Sequence, residues 1–291
     1  MDLHPSPAPA RDDGQVARDD GWPRQVASLA HDALIAELET WPKPGLVSPV
    51  DSGSHDDMDA GTLRASAAAI RPFFADLVAA GTRGATMEHL RAIGLEAEAA
   101  MMDATDGVNA HRGAIFSLGL ICAAAGVTGD GPCTGEALAL AVGRRWGPVI
   151  GGAPTSPTSH GGRAARRYGV GGASAEAAAG FPTVRVVGLP ALRLGRTRAP
   201  MDPVAARVDC FFALLAVVDD TNLLHRGGTD GLNAARAAAS VFAATGGVSA
   251  AGWRDRALDV HRAFVAARLS PGGCADLLAT TLLLDALENR A

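Results

Sequence analysis

Four short polar segments interrupt an otherwise apolar chain, and their side chains could bind a phosphorylated ligand together with a metal ion. They lie at residues 37–43, 55–59, 109–113 and 219–228. Carboxylates and waters suit Mg²⁺, which also accepts phosphate oxygens as ligands. Arginine side chains, glycines and the N-termini of helices suit the phosphates themselves.

The first segment combines a carboxylate and an ammonium. At helical periodicity Glu37 lies in the middle of the apolar face of segment 24–41, where a carboxylate is costly unless it is paired or bound to metal. Lys43 is the only lysine among 26 basic residues and lies between two prolines. The compact point charge of a lysine side chain favours a functional role for Lys43. The alternative, that a single lysine is kept in this loop by chance, explains its presence equally well.

The second and third segments have the composition of a metal site and a phosphate site. His55 precedes three acidic residues within four positions, including Asp57 and Asp59, and this pattern suits Mg²⁺. A solvated acidic loop is the alternative. Segment 109–113 opens a predicted helix with an arginine and a glycine, so its free N–H groups could hold phosphate. An ordinary helix cap with a surface arginine has the same sequence.

The fourth segment follows an apolar helix that is predicted to begin at Asp202-Pro203 and to continue through Asp219. Asp219 and Asp220 could hold metal, while His225 and Arg226 could contact phosphate or a base. Asp276, early in the last predicted helix, is placed to join them.

Several common nucleotide and hydrolase motifs are absent from the sequence. There is no G-x-x-x-x-G-K-[ST], no G-x-G-x-x-G between a strand and a helix, no H-E-x-x-H and no G-x-S-x-G. A nucleotide would therefore have to be bound by acids, metal and helix ends.

Composition excludes several classes of protein. The net charge of -5 argues against nucleic-acid binding. The four cysteines form no C-x-x-C pair and are expected to be reduced. No apolar run approaches a membrane span, and no signal peptide is evident, so we expect a cytoplasmic protein that does not contact membranes.

The elements that must position these side chains are predicted to be helices. Alanine is frequent, aromatic residues are only 4%, and apolar residues recur with helical spacing, which indicates an all-α fold of roughly ten helices in one compact domain. Residues 1–22 are predicted to be a disordered tail, and residues 23–291 the domain. Helices are predicted over 24–41, 62–80 with an interruption at Pro72, 86–103, 110–125, 134–146, 163–168, 174–179, 202–219, 230–244, 252–268 and 270–287. The helix that begins at 202 would extend to 226 if it persists beyond Asp219. Residues 147–163 are predicted to be a loop, and 183–199 are ambiguous between strand and helix.

Taken together, the motifs resemble the triphosphoribosyl-dephospho-coenzyme A synthase family. The resemblance runs in the same order over residues 25–287 and is carried by Trp41-Pro42-Lys43-Pro44-Gly45-Leu46-Val47, Ser54-His55-Asp56-Asp57-Met58-Asp59, Gly107-Val108-Asn109-Ala110-His111-Arg112-Gly113, Leu224-His225-Arg226-Gly227-Gly228 and Ser270-Pro271-Gly272-Gly273-Cys274-Ala275-Asp276. Ser159-His160-Gly161 and Arg166-Arg167-Tyr168-Gly169 look more like the malonate decarboxylase branch than the citrate lyase branch. The chain departs from the family pattern at Ser174-Ala175, where an arginine is expected, and at Asp106, where glycine is common.

The resemblance implies a reaction in which the 2′-hydroxyl of 3′-dephospho-coenzyme A attacks C1′ of the ATP ribose and adenine leaves. The product would be the prosthetic-group precursor of malonate decarboxylase or citrate lyase, passed to a holo-carrier-protein synthase. Mg²⁺ is the expected cofactor and ATP a substrate, and the small helix faces permit a homodimer. The catalytic residues would be Glu37, Asp57, Asp219 and His225. The metal ligands would be Asp57, Asp59, Asp219 and Asp220. The substrate-binding residues would be Lys43, His55, Asn109, His111, Arg112, Arg226, Gly227, Gly228 and Asp276.

Two other functions remain open at the level of sequence. The same acids would serve an all-α, Mg²⁺-dependent nucleotide or ADP-ribosyl hydrolase. A non-catalytic helical chaperone for the prosthetic group or its carrier is the second alternative.

Overall fold

The computed structural model describes residues 21–153 and 160–290, and in these ranges it contains twelve α-helices and no strand. The elements in chain order are α1 (Gly21–Leu38), α2 (Ala60–Thr82), α3 (Met87–Ala104), α4 (Arg112–Thr128), α5 (Gly135–Gly152), α6 (His160–Tyr168), α7 (Gly172–Ala178), a π-helix (Val184–Gly188), α8 (Leu189–Arg198), α9 (Pro203–Val217), α10 (Thr221–Ala244), a 3₁₀-helix (Gly247–Ser249), α11 (Trp253–Ala266) and α12 (Gly272–Glu288). The all-α prediction is confirmed. The predicted tail lies outside the described residues except for positions 21 and 22, which begin α1.

The predicted helix boundaries were wrong in two places where the sequence contains proline or glycine. Pro72 does not interrupt α2, because its ring lies on the exposed side of a helix whose other face is buried. The predicted loop at 147–163 was wrong at both ends, since α5 continues through Pro148 to Gly152 and α6 begins at His160. The middle of that loop lies outside the described residues. The ambiguous stretch 183–199 is helical, with a π-helical turn that leads into α8.

The helix predicted from Asp202 through Asp219 ends earlier, and the segment up to Arg226 that would have extended it belongs to a second helix. The α9 helix ends at Val217, and Val218 adopts extended backbone angles (φ -69°, ψ 134°). The carboxylate of Asp220 then caps α10 by accepting hydrogen bonds from two backbone N–H groups of its first turn. The break turns Asp219 toward solvent, whereas helical periodicity had placed it on the apolar face.

Close helix contacts through small residues form the centre of the core. The α4 helix is buried along most of its length. It crosses α2 so closely that a Cβ atom at Gly81 would overlap the backbone of Ala123, and one at Gly126 would overlap the carbonyl of Val78. Glycine and alanine therefore determine the spacing of these helices. None of the described helices has both the length and the apolarity that a bilayer crossing requires.

Candidate functional site

The loop between α1 and α2 is held against the loop between α11 and α12. Gly45 has a positive φ of 68°, and a Cβ atom there would collide with the carbonyl oxygen of Leu269. Ser54 Oγ donates a 2.6 Å hydrogen bond to the same carbonyl. This contact brings Lys43 and His55 to the end of the molecule where α12 begins.

Five of the predicted residues converge near the N-termini of α4, α10 and α12, and we call them the acidic cluster: Glu37, Lys43, His111, Asp220 and Asp276. Lys43 is 1% exposed, and its Nζ donates a 2.8 Å hydrogen bond to the Glu37 carbonyl and contacts the Glu37 carboxylate. Burial lowers the pKa of Lys43, and the Glu37 carboxylate opposes that shift. Glu37 itself is 7% exposed, so the carboxylate predicted on an apolar face is buried and paired.

Asp220 and Asp276 are the other two carboxylates of the cluster. Asp220 accepts hydrogen bonds from the backbone N–H groups of Asn222 (2.8 Å), Leu223 (3.1 Å) and Cys274 (2.8 Å), and so joins α10 to α12. Burial nevertheless raises the pKa of Asp220.

Asp276 is only partly exposed and lies against the backbone of Gly113, where a Cβ atom would overlap its carboxylate. Burial, and then the negative charges of Glu37 and Asp220, raise the pKa of Asp276 well above its usual range. Within the described parts of the chain, its carboxylate accepts no hydrogen bond.

His111 completes the cluster as a neutral group. It immediately precedes α4, and its Nδ1 is hydrogen-bonded to Ser66 Oγ at 2.7 Å. Burial and the positive charge of Lys43 lower the pKa of His111 to about 4. The imidazole is therefore uncharged at neutral pH.

A second group, which we call the His55 cluster, consists of His55, Asp57, Arg226 and Ser270. His55 Nε2 lies 2.8 Å from Ser270 Oγ, and its Nδ1 lies 3.4 Å from Arg226 Nη2 and 3.6 Å from Asp57 Oδ1. Burial and the Arg226 charge lower the pKa of His55. Ser270 is four residues before Cys274, whose N–H group binds Asp220, so the two clusters adjoin.

The remaining predicted residues are engaged elsewhere. Asp219 is exposed and pairs with Arg236 at 2.8 Å, and Asp59 caps α2 through the N–H group of Thr62 at 2.9 Å. The carboxylates of Asp219 and Asp59 therefore bind groups outside the acidic cluster.

At the start of α4, Asn109 Oδ1 accepts a 3.3 Å hydrogen bond from the Arg112 backbone N–H group, and the Arg112 side chain pairs with Glu98 at 2.8 Å. His225 lies on the exposed side of α10. Gly228 kinks that helix with a φ of 62°, and Gly227 packs against Leu269. These residues do not belong to either cluster.

The four aspartates predicted as metal ligands do not converge. Across the described residues, no group of three or more histidine, cysteine or acidic side chains could hold a metal ion. Asp59 and Asp220 use their oxygens to cap helices, and Asp219 pairs with an arginine. The described residues therefore do not bring the four predicted aspartates together around one ion.

Sequence reasoning missed several residues of the site. Ser66 binds His111 from the middle of α2, a position with no local sequence signal. Ser270 binds His55 from the loop before α12, and a serine in a Gly/Pro-rich loop has no local signal for that contact. Asp106 adopts a positive φ of 51°, a backbone conformation that favours glycine. Glu176, next to the departure at Ser174, accepts hydrogen bonds from Thr183 and has a structural role.

Comparison with known proteins gives one consistent result. The family described as ATP:dephospho-CoA triphosphoribosyl transferase matches residues 23–145 and 150–291. A protein of Pseudomonas paraeruginosa named "Probable 2-(5''-triphosphoribosyl)-3'-dephosphocoenzyme-A synthase" is 42% identical over 90% of both chains. Proteins with the same name from Stutzerimonas stutzeri (42% identical, 92% of this chain and 93% of the relative) and Azotobacter vinelandii (40% identical, 91% of each) are also similar. No solved structure shows significant similarity to the chain.

Proposed function

Since this chain belongs to the family of ATP:dephospho-CoA triphosphoribosyl transferases, we propose that it transfers the 5-triphosphoribosyl group of ATP to the 2′-hydroxyl of 3′-dephospho-coenzyme A. The observation that carries the proposal is the acidic cluster, in which three carboxylates and the only lysine of the chain lie among three helix N-termini. Helix N-termini and an ammonium suit phosphate, and carboxylates suit the positive charge that develops at an anomeric carbon.

In the proposed reaction, the oxygen of the 2′-hydroxyl forms a bond to C1′ of the ATP ribose, and the bond from C1′ to adenine breaks. Adenine leaves with the electron pair of that bond and takes up a proton. The hydroxyl proton must pass to a base within hydrogen-bonding distance. The triphosphate stays attached to the transferred ribose.

Asp276 is the best candidate for that base. Glu37 is engaged by Lys43, and Asp220 is engaged by three backbone N–H groups. Asp276 accepts no hydrogen bond within the described residues, and because burial raises its pKa, its deprotonated form is a stronger base than an exposed carboxylate. The catalytic roles predicted for Glu37, Asp57, Asp219 and His225 stay predictions, and Asp219 has the weakest support because it pairs with Arg236 in solvent.

The remaining basic residues can position the triphosphate. Lys43 lies inside the acidic cluster, and the Arg226 side chain lies in the adjoining His55 cluster, where it donates to the Ser54 carbonyl at 3.0 Å. Arg112 lies at the N-terminus of α4, close to the backbone that Asp276 contacts. His55, His111, Asn109, Gly227 and Gly228 would shape the site around the substrates.

Mg²⁺ remains part of the proposal as an ion that accompanies the triphosphate. Mg²⁺ commonly keeps waters and phosphate oxygens as most of its ligands and needs one or two carboxylates from the protein. Because the predicted ligands do not converge, we assign no chemical step to the ion. Its contribution would be to neutralise phosphate charge.

The cellular role is also a proposal. The Arg166-Arg167-Tyr168-Gly169 stretch supports the malonate decarboxylase carrier over that of citrate lyase. The product would then pass to a holo-carrier-protein synthase in the cytoplasm, and a homodimer is compatible with the small helix faces. Loss of malonate decarboxylase activity in a deletion strain, restored by this gene, tests the choice of carrier.

The direct test is an incubation with ATP, Mg²⁺ and dephospho-coenzyme A, with adenine measured by chromatography. Adenine should appear only when the acceptor is present, together with a product heavier than the acceptor by a triphosphoribosyl group. Equal release of adenine without the acceptor would indicate a hydrolase. No release under any condition would favour a non-catalytic binding protein.

A further inference from the structure

Helix α6 presents a basic surface that neither cluster includes. Its nine residues contain three arginines and no acid. Arg163, Arg166 and Arg167 are exposed, whereas Ala164 and Ala165 are only 3% and 7% exposed and form the buried side of the helix. The arginines therefore share the outer side of α6, where they can meet an anionic ligand.

The basic surface belongs to a segment whose charge is opposite to that of the whole chain. Residues 137–201 contain nine arginines and one acid, Glu176, whereas the complete chain has 26 basic and 31 acidic residues. The arginines of α8 are neutralised by carboxylates of α9 and α12, in the pairs Arg193–Glu288, Arg196–Asp285 and Arg198–Asp209. Arg167 of α6 forms no ion pair within the described ranges, so a phosphate group could supply its counter-charge.

Helix α6 packs against the first two turns of α10, which begin at the acidic cluster and end at a kink. A Cβ atom on Gly161 would lie 3.2 Å from the Oγ1 atom of Thr221, the neighbour of Asp220. At the kink, Gly228 has a φ of 62° and a ψ of -159°, which only glycine adopts readily. A Cβ atom there would lie 3.4 Å from the hydroxyl of Tyr168. The two ends of α6 therefore contact the start and the kink of α10.

Arg167 and Tyr168 form a polar pair beside this kink. The Arg167 guanidinium lies over the Tyr168 ring, with its Cζ 5.3 Å from the ring centroid. Tyr168 is the only tyrosine of the chain and is partly exposed, and among the described residues no group is hydrogen-bonded to its hydroxyl. Arg226 of the His55 cluster precedes the kink by two residues. A guanidinium and a hydroxyl that can donate hydrogen bonds both suit phosphate oxygens.

The length of this part of α10 suits a triphosphoribosyl group. Seven residues separate Thr221 from Gly228, and at about 1.5 Å per residue they span about 10 Å. An extended triphosphate on a ribose has a similar reach from C1′ to its terminal phosphate. With C1′ at the acidic cluster, the triphosphate would extend along α10 to Arg167 and Tyr168.

The acidic cluster itself has too little positive charge for a triphosphate. Lys43 is 1% exposed and contacts the Glu37 carboxylate. Arg112, at the start of α4, pairs with Glu98 at 2.8 Å. Both cations are therefore partly neutralised by carboxylates, and the phosphates farthest from the ribose need other basic groups.

We propose that Arg167 and Tyr168 bind the terminal phosphates of ATP, so that α6 holds the triphosphate along the first two turns of α10; this inference rests on the proposed function. Arg167 supplies positive charge, and the Tyr168 hydroxyl donates a hydrogen bond to a phosphate oxygen. No bond is made or broken at this end of the substrate. The two residues therefore position ATP and take no part in the chemical step.

The test compares Arg167→Gln, Arg167→Lys and Tyr168→Phe with a control, Arg91→Gln. Arg91 is an exposed arginine of α3. It lies seven residues before Glu98, about 10 Å along the helix from the contact with Arg112. The control changes the net charge of the chain as Arg167→Gln does. Thermal melting of the full chain checks that all four variants are folded.

Binding measured by calorimetry without a second substrate should depend on the phosphates. Arg167→Gln should weaken ATP about tenfold, which corresponds to about 1.4 kcal/mol, and should leave AMP within about twofold of wild type. Arg167→Lys keeps the charge without the planar fork, so its affinity for ATP should fall between wild type and Arg167→Gln. Tyr168→Phe should weaken ATP by about threefold or more, because one hydrogen bond to a charged group is lost. Dephospho-coenzyme A, which has a diphosphate, should bind every variant as it binds wild type, and Arg91→Gln should change no ligand.

Turnover separates positioning from chemistry. Arg167→Gln should raise the KM for ATP about tenfold and keep kcat within about twofold, because the contact is equally strong in the ground state and the transition state. The KM for dephospho-coenzyme A should not change. The difference between wild type and Arg167→Gln should shrink as salt is added, since exposed charges are screened.

Four results would overturn the assignment. Weaker binding of dephospho-coenzyme A with unchanged ATP would place the diphosphate of the acceptor at α6. Equal weakening of ATP and AMP would show that α6 contacts the nucleoside, and unchanged ATP binding by Arg167→Gln would remove α6 from substrate binding. An equal loss in Arg91→Gln would reduce the effect to net charge. Failure of the proposed function is distinguishable, because wild-type protein would then release no acceptor-dependent adenine, whereas the ATP affinities are measured without an acceptor.

Discussion

The buried pair of Glu37 and Lys43 allows a quantitative test of how the site is held together. The two side chains are 9% and 1% exposed and contact each other directly. Lys43→Met removes the ammonium and keeps an unbranched apolar chain of similar length. Glu37→Gln removes the carboxylate charge and keeps the shape, and the double variant removes both charges.

The expected magnitudes follow from the burial of both groups. Removing one member of a buried ion pair leaves an uncompensated charge in a poorly solvated place and costs about 3–5 kcal/mol. Whole-domain stabilities are about 5–15 kcal/mol, so either single substitution removes a large share. The double variant leaves no buried charge, so it should be destabilised by less than the sum of the two single changes, with a coupling of at least about 1 kcal/mol.

Urea unfolding at pH 7, followed by circular dichroism, measures these free energies of unfolding. The double variant should recover stability relative to Lys43→Met and still lack turnover, because the ammonium proposed to bind triphosphate is gone. Single variants that lose less than about 1 kcal/mol, or costs that simply add, would refute the idea that burial forces these charges together.

Three further predictions concern the surroundings of the cluster. Gly113→Ala should displace the Asp276 carboxylate and lower kcat, and a kcat equal to wild type would contradict this contact. The control is Gly94→Ala, at a position with open space around it. This control should leave kcat unchanged and raise stability by up to about 1 kcal/mol. The pKa of His111 is about 4 in the folded protein and near 6.5 in the unfolded chain. Between pH 4 and pH 6.5 the unfolded chain therefore binds more protons than the folded protein. The neutral imidazole contributes stability above pH 6.5, and this stability is lost as the pH falls toward 4. His111→Gln should remove up to about 3 kcal/mol of that pH dependence in urea titrations, and an unchanged slope would count against a buried neutral imidazole. Asp219→Asn should keep kcat within about threefold of the wild-type value, because the exposed ion pair with Arg236 contributes at most about 1 kcal/mol. A large loss of kcat would show that Asp219 has a catalytic role.

Much of the fold was predictable because the buried residues of a helix recur in the sequence with helical spacing. The apolar face of α1 correctly predicted that Glu37 would be buried, and Asp202-Pro203 correctly predicted the start of α9. The errors arose where local preferences were overridden by packing. Pro72 and Pro148 lie inside continuous helices, since losing one hydrogen bond in a long helix is outweighed by burial of its other face.

The site was predictable as a set of segments but not as a set of contacts. Sequence order indicated that acids and basic residues gather at helix ends, and five of them form the acidic cluster. The break at Val218 was not predictable from apolar periodicity, and it separates Asp219, in solvent, from Asp220, in the cluster. Long-range partners such as Ser66 for His111 also depend on tertiary packing, which no local pattern records.

The central claim is that one carboxylate of the acidic cluster, Asp276, accepts the proton of the acceptor hydroxyl when it is in its deprotonated form. Single-turnover release of adenine, with ATP and dephospho-coenzyme A saturating, tests it most directly in Asp276→Asn and wild type. Burial and the neighbouring charges of Glu37 and Asp220 raise the pKa of Asp276 and disfavour its charged form, so the asparagine variant should fold with equal or higher stability at neutral pH. Its rate should fall by about 10²–10⁴, the usual contribution of a general base. A rate within tenfold of wild type would contradict the claim.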